Sequence, residues 1–227
     1  MKIIITRPQE DAGPLSEKLT GLGHEPFVLS LLKIVGRETP EIQRRAYQVI
    51  CLTSANAVRV LGDISPIKDI PVLAVGPKSM QMALGRGFAR VEAQGGDVNG
   101  LHNFITSHLK PQIGPILYLS GSETSGDLEG LLKHSGFEVD RVITYDAMPA
   151  SLDGKQREIQ SAQAVVLYSP RSAKLWVQEI RALNCEAAAL TIKHICLSAN
   201  VAACLPQSWP RAIAEIPTEA ALLALLD

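Results

Sequence analysis

Six short polar segments of the chain combine residue types that can bind an anionic ligand. In each of them, small polar residues follow an apolar run and open a segment with a helical pattern. Backbone N–H groups at a helix start have no intrahelical partner, so they attract negative charge. The six segments are Thr6-Arg7-Pro8, Thr53-Ser54-Ala55-Asn56, Gly76-Pro77-Lys78-Ser79, Ser120-Gly121-Ser122-Glu123, Ser169-Pro170-Arg171-Ser172 and Ser198-Ala199-Asn200. If these turns face one cleft, they suit a ligand with several carboxylates.

The same residue types also have a purely structural use, because Ser, Thr and Asn are favoured at helix N-caps. Capping alone explains any single turn, whereas the repetition of the pattern along the chain favours a binding role. The candidate binding residues are Thr6, Arg7, Thr53, Ser54, Asn56, Gly76, Lys78, Ser79, Gly121, Ser122, Ser169, Arg171, Ser172, Ser198 and Asn200.

Common catalytic and nucleotide-binding motifs are missing from the sequence. No Gly-x-Gly-x-x-Gly follows the first predicted strand, and neither a phosphate-binding loop ending in Gly-Lys-Ser/Thr nor a Gly-x-Ser-x-Gly segment occurs. Glu123 and Asp127 are predicted to lie at i and i+4 on one helix, but acidic residues commonly stabilise a helix start. This pattern favours a reaction in which the protein orients a reactive substrate and stabilises charge.

Tyr145 is the aromatic residue with the clearest catalytic potential. The apolar run Val142-Ile143-Thr144-Tyr145 predicts that it ends a strand, just before a connection near Met148-Pro149. A hydroxyl at that position can donate a proton or a hydrogen bond to a ligand. The alternative is a strand tyrosine that packs at a domain edge, since tyrosine favours strands.

The charge balance and the cysteine spacing exclude several classes of function. The chain has 227 residues and a net charge of -1, without the basic excess of nucleic-acid-binding proteins. His and Cys show no metal-ligand spacing, so we expect no metal site. The start MKIIITRP lacks the apolar region of a signal peptide, and no run reaches membrane length. We expect a cytoplasmic protein that binds neither nucleic acid nor membrane, with four buried free thiols at Cys51, Cys185, Cys196 and Cys204.

Apolar runs alternate with helix-length amphipathic segments, which predicts βαβ units and parallel sheets. Leu15, Leu19 and Leu22, for example, have helical spacing. The predicted strands are Ile3–Thr6, Phe27–Ile34, Val49–Thr53, Val72–Val75, Arg90–Ala93, Ile116–Ser120, Val139–Tyr145, Ala164–Tyr168, His194–Leu197 and Ala212–Glu215.

An internal repeat indicates a duplicated domain. The segments that begin at Ile4, Ile50 and Leu73 recur in the same order at Leu117, Val165 and Ile195. Tandem folding would place a boundary near Gly114. In the alternative, the first βαβ segment completes the other lobe, and the apolar stretch Phe27–Val35 crosses between lobes. The repeat itself leaves both arrangements open.

The turns, in this order, resemble the uroporphyrinogen-III synthase family over essentially the whole chain. The motifs that carry the resemblance are Ile3-Ile4-Ile5-Thr6-Arg7-Pro8, Leu52-Thr53-Ser54-Ala55-Asn56-Ala57-Val58, Ala74-Val75-Gly76-Pro77, Tyr145-Asp146-Ala147, Tyr168-Ser169-Pro170-Arg171-Ser172-Ala173 and Ile195-Cys196-Leu197-Ser198. The resemblance implies an α/β fold of two flavodoxin-like lobes with parallel sheets, between which the chain passes twice. Lobe 1 would comprise residues 1–36 and 149–227, lobe 2 residues 37–148, and the active site would be the cleft between them.

The resemblance also implies a lyase reaction without cofactor or metal. Hydroxymethylbilane, a linear tetrapyrrole with eight carboxylates, would lose water to give an azafulvene. Attack by the far pyrrole and a spiro intermediate would then give uroporphyrinogen III with ring D inverted. Spontaneous closure gives the type I isomer, so the protein would select a geometry. A transient contact with the upstream bilane-forming enzyme is a further expectation.

Residue by residue, Tyr145 matches the family tyrosine proposed to assist departure of the hydroxyl, and Ser198 matches a Ser/Thr that contacts substrate. The turns at Thr53-Ser54, Gly76, Gly121-Ser122 and Ser169 match turns whose backbone amides hold carboxylates. The chain departs from the family pattern where relatives carry Arg-Gly in place of Ser120-Gly121, and where a basic residue is common near Asn56. Two alternatives to the synthase are a non-catalytic receptor for a small polycarboxylate anion and a nucleotide- or flavin-binding enzyme.

Overall fold

The computed structural model describes residues 1–38, 42 and 45–226, which form eleven strands and ten α-helices. The strands are β1 (Lys2–Ile5), β2 (Glu25–Val28), β3 (Leu32–Gly36), β4 (Val49–Leu52), β5 (Val72–Ala74), β6 (Val91–Ala93), β7 (Ile116–Gly121), β8 (Val139–Pro149), β9 (Ala164–Leu167), β10 (Lys193–Cys196) and β11 (Arg211–Ile213). The helices are α1 (Gln9–Gly21), α2 (Ala55–Arg59), α3 (Pro77–Gly85), α4 (Val98–His108), α5 (Leu128–His134), α6 (Gln156–Ser161), α7 (Pro170–Ala182), α8 (Glu186–Ala189), α9 (Ala199–Ala202) and α10 (Glu219–Leu223).

The strands form two sheets whose order is that of flavodoxin-like folds. The first sheet has the order β2-β1-β9-β10-β11, and all four of these pairings are parallel. The second has the order β3-β8-β7-β4-β5-β6, with parallel pairing from β8 through β6. If β7 is counted as the first strand of the second sheet, both sheets contain the order 2-1-3-4-5, and β3 is an additional edge strand of the second sheet. The predicted fold class is therefore confirmed.

The pairing of β1 and β7 shows which segments of the duplicated sequence fold together. β1 pairs with β9, and β7 pairs with β4. The first βαβ segment of each repeat therefore joins the sheet formed by the later strands of the other repeat. The described chain divides into a first unit, Met1–Lys33 with Met148–Asp227, and a second unit, Ile34–Ala147. The chain passes between the units within β3 and within β8.

One predicted strand, Phe27–Ile34, is instead two strands in different sheets. β2 ends at Val28 and β3 begins at Leu32. The intervening residues bond to the exit of β1: Leu29 N donates to the Ile5 carbonyl at 3.0 Å, and Ser30 Oγ donates to the Arg7 carbonyl at 2.8 Å. Because residues 29 and 30 bond to the exit of β1, they do not continue into the pairing of β3. The apolar stretch is therefore divided into two strands.

Each sheet is covered on both faces, which explains the uninterrupted apolar composition of the central strands. Ile3, Ile4 and Ile5 are fully buried, as are the four residues of β9. Leu15 and Leu19 of α1 pack on one face of β1, whereas Leu22 lies beyond the helix end and is exposed. Parallel strands buried on both faces read as continuous apolar runs.

Three of the four thiols are buried as predicted, and Cys204 is the exception. Cys51 in β4, Cys196 in β10 and Cys185 are buried, and Cys204 is half-buried, all without disulfides. Burial raises the pKa of Cys51 to about 12. No helix among the described residues is long and apolar enough to cross a lipid bilayer.

His194 of β10 makes the stability of the first unit depend on pH. The residue is fully buried, its ring stacks on Trp209 at 5.1 Å between centroids, and its Nε2 has no hydrogen-bond partner among the residues that the structure describes. Burial lowers its pKa from 6.5 to about 4. The neutral ring is thus favoured on folding, so this stabilisation is complete above pH 6.5 and is lost as the pH falls towards 4.

We expect acidification from pH 7 to pH 4.5 to lower the free energy of unfolding by about 2 kcal/mol through His194 alone. Urea unfolding of wild type, His194→Gln and the exposed control His134→Gln at both pH values measures this contribution. His194→Gln should show a smaller pH dependence than wild type, and His134→Gln the same one. Equal pH dependence in all three proteins would contradict a buried neutral His194.

Candidate active site

All six predicted polar turns lie where a strand ends, and each unit has three of them. In the first unit they follow β1, β9 and β10, and in the second they follow β4 and β5 and include the end of β7. Because the strands of a sheet are parallel, their carboxyl ends lie along one edge. Each edge contains the point where the strand order reverses, between β1 and β9 and between β4 and β7. Ligands of open α/β sheets bind at such points.

In the first unit, Arg7 is held by an aromatic ring and a carboxylate. Its guanidinium lies 3.6 Å above the ring centroid of Tyr168, and its Nη1 is 2.9 Å from Glu219 Oε2. Lys18 Nζ contacts the other carboxylate oxygen of Glu219 at 2.6 Å. Thr6 is buried and donates to the Val166 carbonyl at 2.7 Å, which joins the ends of β1 and β9. The guanidinium of Arg7 is therefore held in a fixed position at this edge of the sheet.

Tyr168 and Glu219 are site residues that the sequence-based candidate set does not contain. Within the described part of the chain, the buried Tyr168 hydroxyl has no hydrogen-bond partner, and burial raises the pKa of this residue to about 12. Tyr168 directly precedes the predicted turn at Ser169, so its position after an apolar strand was an available signal. Glu219 is 212 residues from Arg7, and no local pattern links the two.

The other two turns of the first unit differ in how their side chains are used. Ser169 and Ser172 form a capping box at the start of α7: Ser172 N donates to Ser169 Oγ and Ser169 N to Ser172 Oγ, both at 3.1 Å. Arg171 in the same turn is half-buried. Ser198 caps α9 without a side-chain cap bond, and Asn200 is exposed. Capping thus explains the two serines of α7 but not the Ser198 hydroxyl.

In the second unit, the turn after β4 is also partly used for capping. Ser54 Oγ accepts from Asn56 N at 3.2 Å, and the buried Asn56 side chain accepts from Arg59. Thr53 is hydrogen-bonded to the hydroxyl of Tyr118 at 3.0 Å. Burial raises the pKa of Tyr118, a β7 residue that the candidate set does not contain.

The turn after β5 presents mainly backbone groups and one exposed cation. Gly76 is the N-cap of α3 in an extended conformation, with open space where a side chain would lie. Ser79 is buried, whereas Lys78 is exposed. α3 has nine residues, so its first turn offers N–H groups of the kind that bind anions.

Tyr145 lies against the turn that ends β7. Its side chain is 8% exposed, and the β-carbon of a residue larger than glycine at position 121 would lie 2.6 Å from Tyr145 Cζ. Ser122 N donates to the Tyr145 carbonyl at 3.0 Å. The prediction that Tyr145 ends its strand is wrong, because β8 continues to Pro149 alongside β3. The phenol is nevertheless at the carboxyl edge, beside the Gly121-Ser122 backbone.

Two arginines fix this region. Arg141 Nε donates to Ser120 Oγ at 2.8 Å, and its Nη2 donates to the Gly121 carbonyl at 2.9 Å. Arg37 forms a two-point ion pair with Asp146, the residue after Tyr145, at 2.5 and 2.8 Å. The hydrogen bond from Arg37, followed by one from Ser122, lowers the pKa of Asp146. The turn and the tyrosine are therefore held by charge-assisted hydrogen bonds.

Two flavodoxin-like units with polar turns at their carboxyl edges define an α/β protein of the class that binds a small ligand at strand ends. The chain belongs to the uroporphyrinogen-III synthase family, because the model described as uroporphyrinogen-III synthase HemD matches residues 13–224. This is the family that the sequence motifs resemble. Its lyase activity, the cyclisation of hydroxymethylbilane in tetrapyrrole biosynthesis, is therefore the activity of this chain.

The solved structure of a family member has the same fold. The uroporphyrinogen-III synthetase of Helicobacter pylori is 17% identical with a TM-score of 0.68, and the match covers 99% of this chain and 97% of that one. A mutant uroporphyrinogen III synthase of Thermus thermophilus is 13% identical with a TM-score of 0.49, covering 100% of this chain and 97% of that one. No curated protein sequence matches the chain.

Proposed function

We propose that this chain converts hydroxymethylbilane to uroporphyrinogen III with loss of water and inversion of ring D. The observation that carries the proposal is the contact of Tyr145 with the Gly121-Ser122 backbone at a carboxyl edge. A phenol at this edge can act on a hydroxyl while amides of the neighbouring turns hold the acidic arms of the same substrate.

Substrate binding is assigned to the polar turns of both units. Hydroxymethylbilane carries eight carboxylates, and the net charge of -1 provides no long-range attraction for them. Local donors must therefore hold the substrate. The backbone N–H groups at the starts of α3 and α7 are suited to this, and Lys78 and Arg7 add positive charge. The other candidate turn residues are proposed to contact substrate mainly through their main chain.

The proposed chemistry starts with departure of the hydroxyl. Tyr145 donates a proton to this oxygen, the carbon–oxygen bond breaks, and electrons from the pyrrole nitrogen form the azafulvene as water leaves. The substituted carbon of the far pyrrole attacks, and the resulting spiro intermediate fragments and closes again with ring D inverted. The proton released when the last ring regains aromaticity restores the phenol. The protein contributes orientation and charge stabilisation.

The assay that tests this function supplies freshly generated hydroxymethylbilane and separates the oxidised porphyrin products by chromatography. We expect mainly the type III isomer, formed faster than the type I isomer of a protein-free control. A product mixture equal to that control, from folded protein, would reject the synthase function. It would favour a receptor that binds a polycarboxylate without converting it.

A cytoplasmic location and a transient contact with the upstream bilane-forming enzyme complete the proposal. Both rest on expectations from the sequence and from the instability of the substrate, which closes spontaneously to the type I isomer. Direct transfer would shorten the time that free bilane spends in solution.

A further inference from the structure

Strands β7 and β8 change register at the point where Tyr145 lies. From Ile116 opposite Val139 to Ser120 opposite Ile143, the two strands pair one residue to one. The next pair joins Gly121 to Tyr145, so Thr144 is an extra residue on β8. An extra residue on one strand is a β-bulge, which bends the strand and redirects the side chains that follow.

The bulge decides which face of the sheet receives Tyr145. Successive side chains of a strand point to opposite faces, so an unbroken β8 would place Tyr145 on the face of Ile143 and Arg141. With Thr144 inserted, Tyr145 shares the face of its partner Gly121. Its packing agrees, since Tyr145 belongs to the apolar cluster of Leu119, whereas Tyr118 belongs to the cluster on the opposite face.

Thr144 makes the contacts that hold the bulge. It is fully buried, and its Oγ1 donates to the Ser120 carbonyl at 3.3 Å. Its own carbonyl accepts from Arg37 N at 2.8 Å. A fully buried hydroxyl needs a partner, and this one bonds to the residue of β7 next to the register change. The side chain therefore links the inserted residue to the opposite strand.

Arg141 holds the opposite strand at the same point. Besides Ser120 Oγ and the Gly121 carbonyl, its Nη2 contacts the Ser122 carbonyl at 3.3 Å. Three consecutive residues of the turn are thus bound by one guanidinium. The Tyr145 ring packs against Gly121 at the position that a side chain of residue 121 would occupy.

We propose that Thr144 is a positioning residue for Tyr145: its hydroxyl maintains the bulge that directs the phenol onto Gly121. This inference rests on the proposed catalytic role of Tyr145, and Thr144 itself touches no substrate. The bulge acts through the phenol, so its loss should cost part of the rate that the phenol supplies and nothing further once the phenol hydroxyl is gone.

Thr144→Val removes the hydroxyl at nearly constant volume, and Thr144→Ser keeps it. We expect Thr144→Val to lower kcat about tenfold with little change in KM, since small displacements of a reacting group are costly. Thr144→Ser should retain most of kcat. In a Tyr145→Phe background, Thr144→Val should cause no further loss, because residues that act as a unit are not additive. A further tenfold loss there would overturn the proposal, and so would equal impairment by Val and Ser.

Fluorine NMR of protein labelled with 3-fluorotyrosine separates position from catalysis. The chain has four tyrosines, so the resonance of Tyr145 is assigned by its loss in Tyr145→Phe. We expect Thr144→Val to shift this resonance and Thr144→Ser to leave it near its wild-type position. An unshifted resonance in Thr144→Val would overturn the positioning role whatever the kinetics. A shifted resonance together with wild-type kcat in both Thr144→Val and Tyr145→Phe would keep the positioning role and reject Tyr145 as proton donor.

Discussion

Tyr145→Phe is expected to lower kcat for hydroxymethylbilane cyclisation about 100-fold, with a much smaller change in KM. General acid catalysis by a positioned side chain contributes about 10²- to 10⁴-fold, and water loss requires a proton at the departing oxygen. The substitution removes only the hydroxyl, so the ring remains against Gly121 and the turn keeps its geometry. Single-turnover kinetics with isomer analysis measures the loss.

Tyr47→Phe is the matched control. Tyr47 lies in the same unit, is also 8% exposed, and donates its hydroxyl to Asp140 at 2.8 Å near the amino end of β4. Its loss should reduce stability by about 1 kcal/mol and leave kcat unchanged. If Tyr145→Phe retained wild-type kcat and type III product, orientation of the substrate alone would account for the rate, and the proton-donor role would be wrong.

The fold was predictable where the signal is local. Buried runs such as Ile3–Ile5 and Val49–Leu52 predict parallel strands directly, because both faces of the sheet are covered. The choice of partner strand was not predictable from the residues. β1 and β7 both read as buried, largely apolar strands, so β1 could pair with β4 or with β9 by pattern alone. Only the family resemblance favoured the exchange.

The site was predictable as a set of turns but not as a set of contacts. Ser169 and Ser172 fit both a binding turn and a capping box, and the observed bonds are those of the cap. Helix capping and anion binding require the same residue types, so a sequence cannot separate them. Charged partners such as Arg141 and Glu219 come from other strands and helices, and their spacing in the chain carries no information about the site.

The bulge at Thr144 shows the same limit for the position of Tyr145. The sequence Val142-Ile143-Thr144-Tyr145 reads as an ordinary apolar strand, and the expectation that Tyr145 ends it was wrong. A bulge is a relation between two strands, so the pattern of one strand does not contain it. The face on which a residue lies can therefore differ from the face that alternation predicts.

Gly121→Ala is expected to lower kcat at least about 100-fold. The substitution keeps the backbone amide at position 121 but places a methyl group in the space that the Tyr145 ring occupies. The alanine β-carbon would lie 2.6 Å from Tyr145 Cζ and 2.9 Å from the phenol oxygen. Contacts this short force the ring to move, and displacement of a reacting group by about 1 Å can cost about 10²-fold. Overpacking should also lower the free energy of unfolding by about 1–3 kcal/mol.

Gly62→Ala controls for the general effect of adding a methyl group, since Gly62 is exposed in the same unit with nothing within 4 Å of the added carbon. The decisive comparison is Gly121→Ala in a Tyr145→Phe background, with thermal unfolding used to confirm that both proteins are folded. If Gly121 acts by leaving room for the phenol, the second substitution costs little once the hydroxyl is gone. If it costs another 100-fold, the turn acts on the substrate directly, because its main chain holds a carboxylate that the displaced backbone can no longer reach.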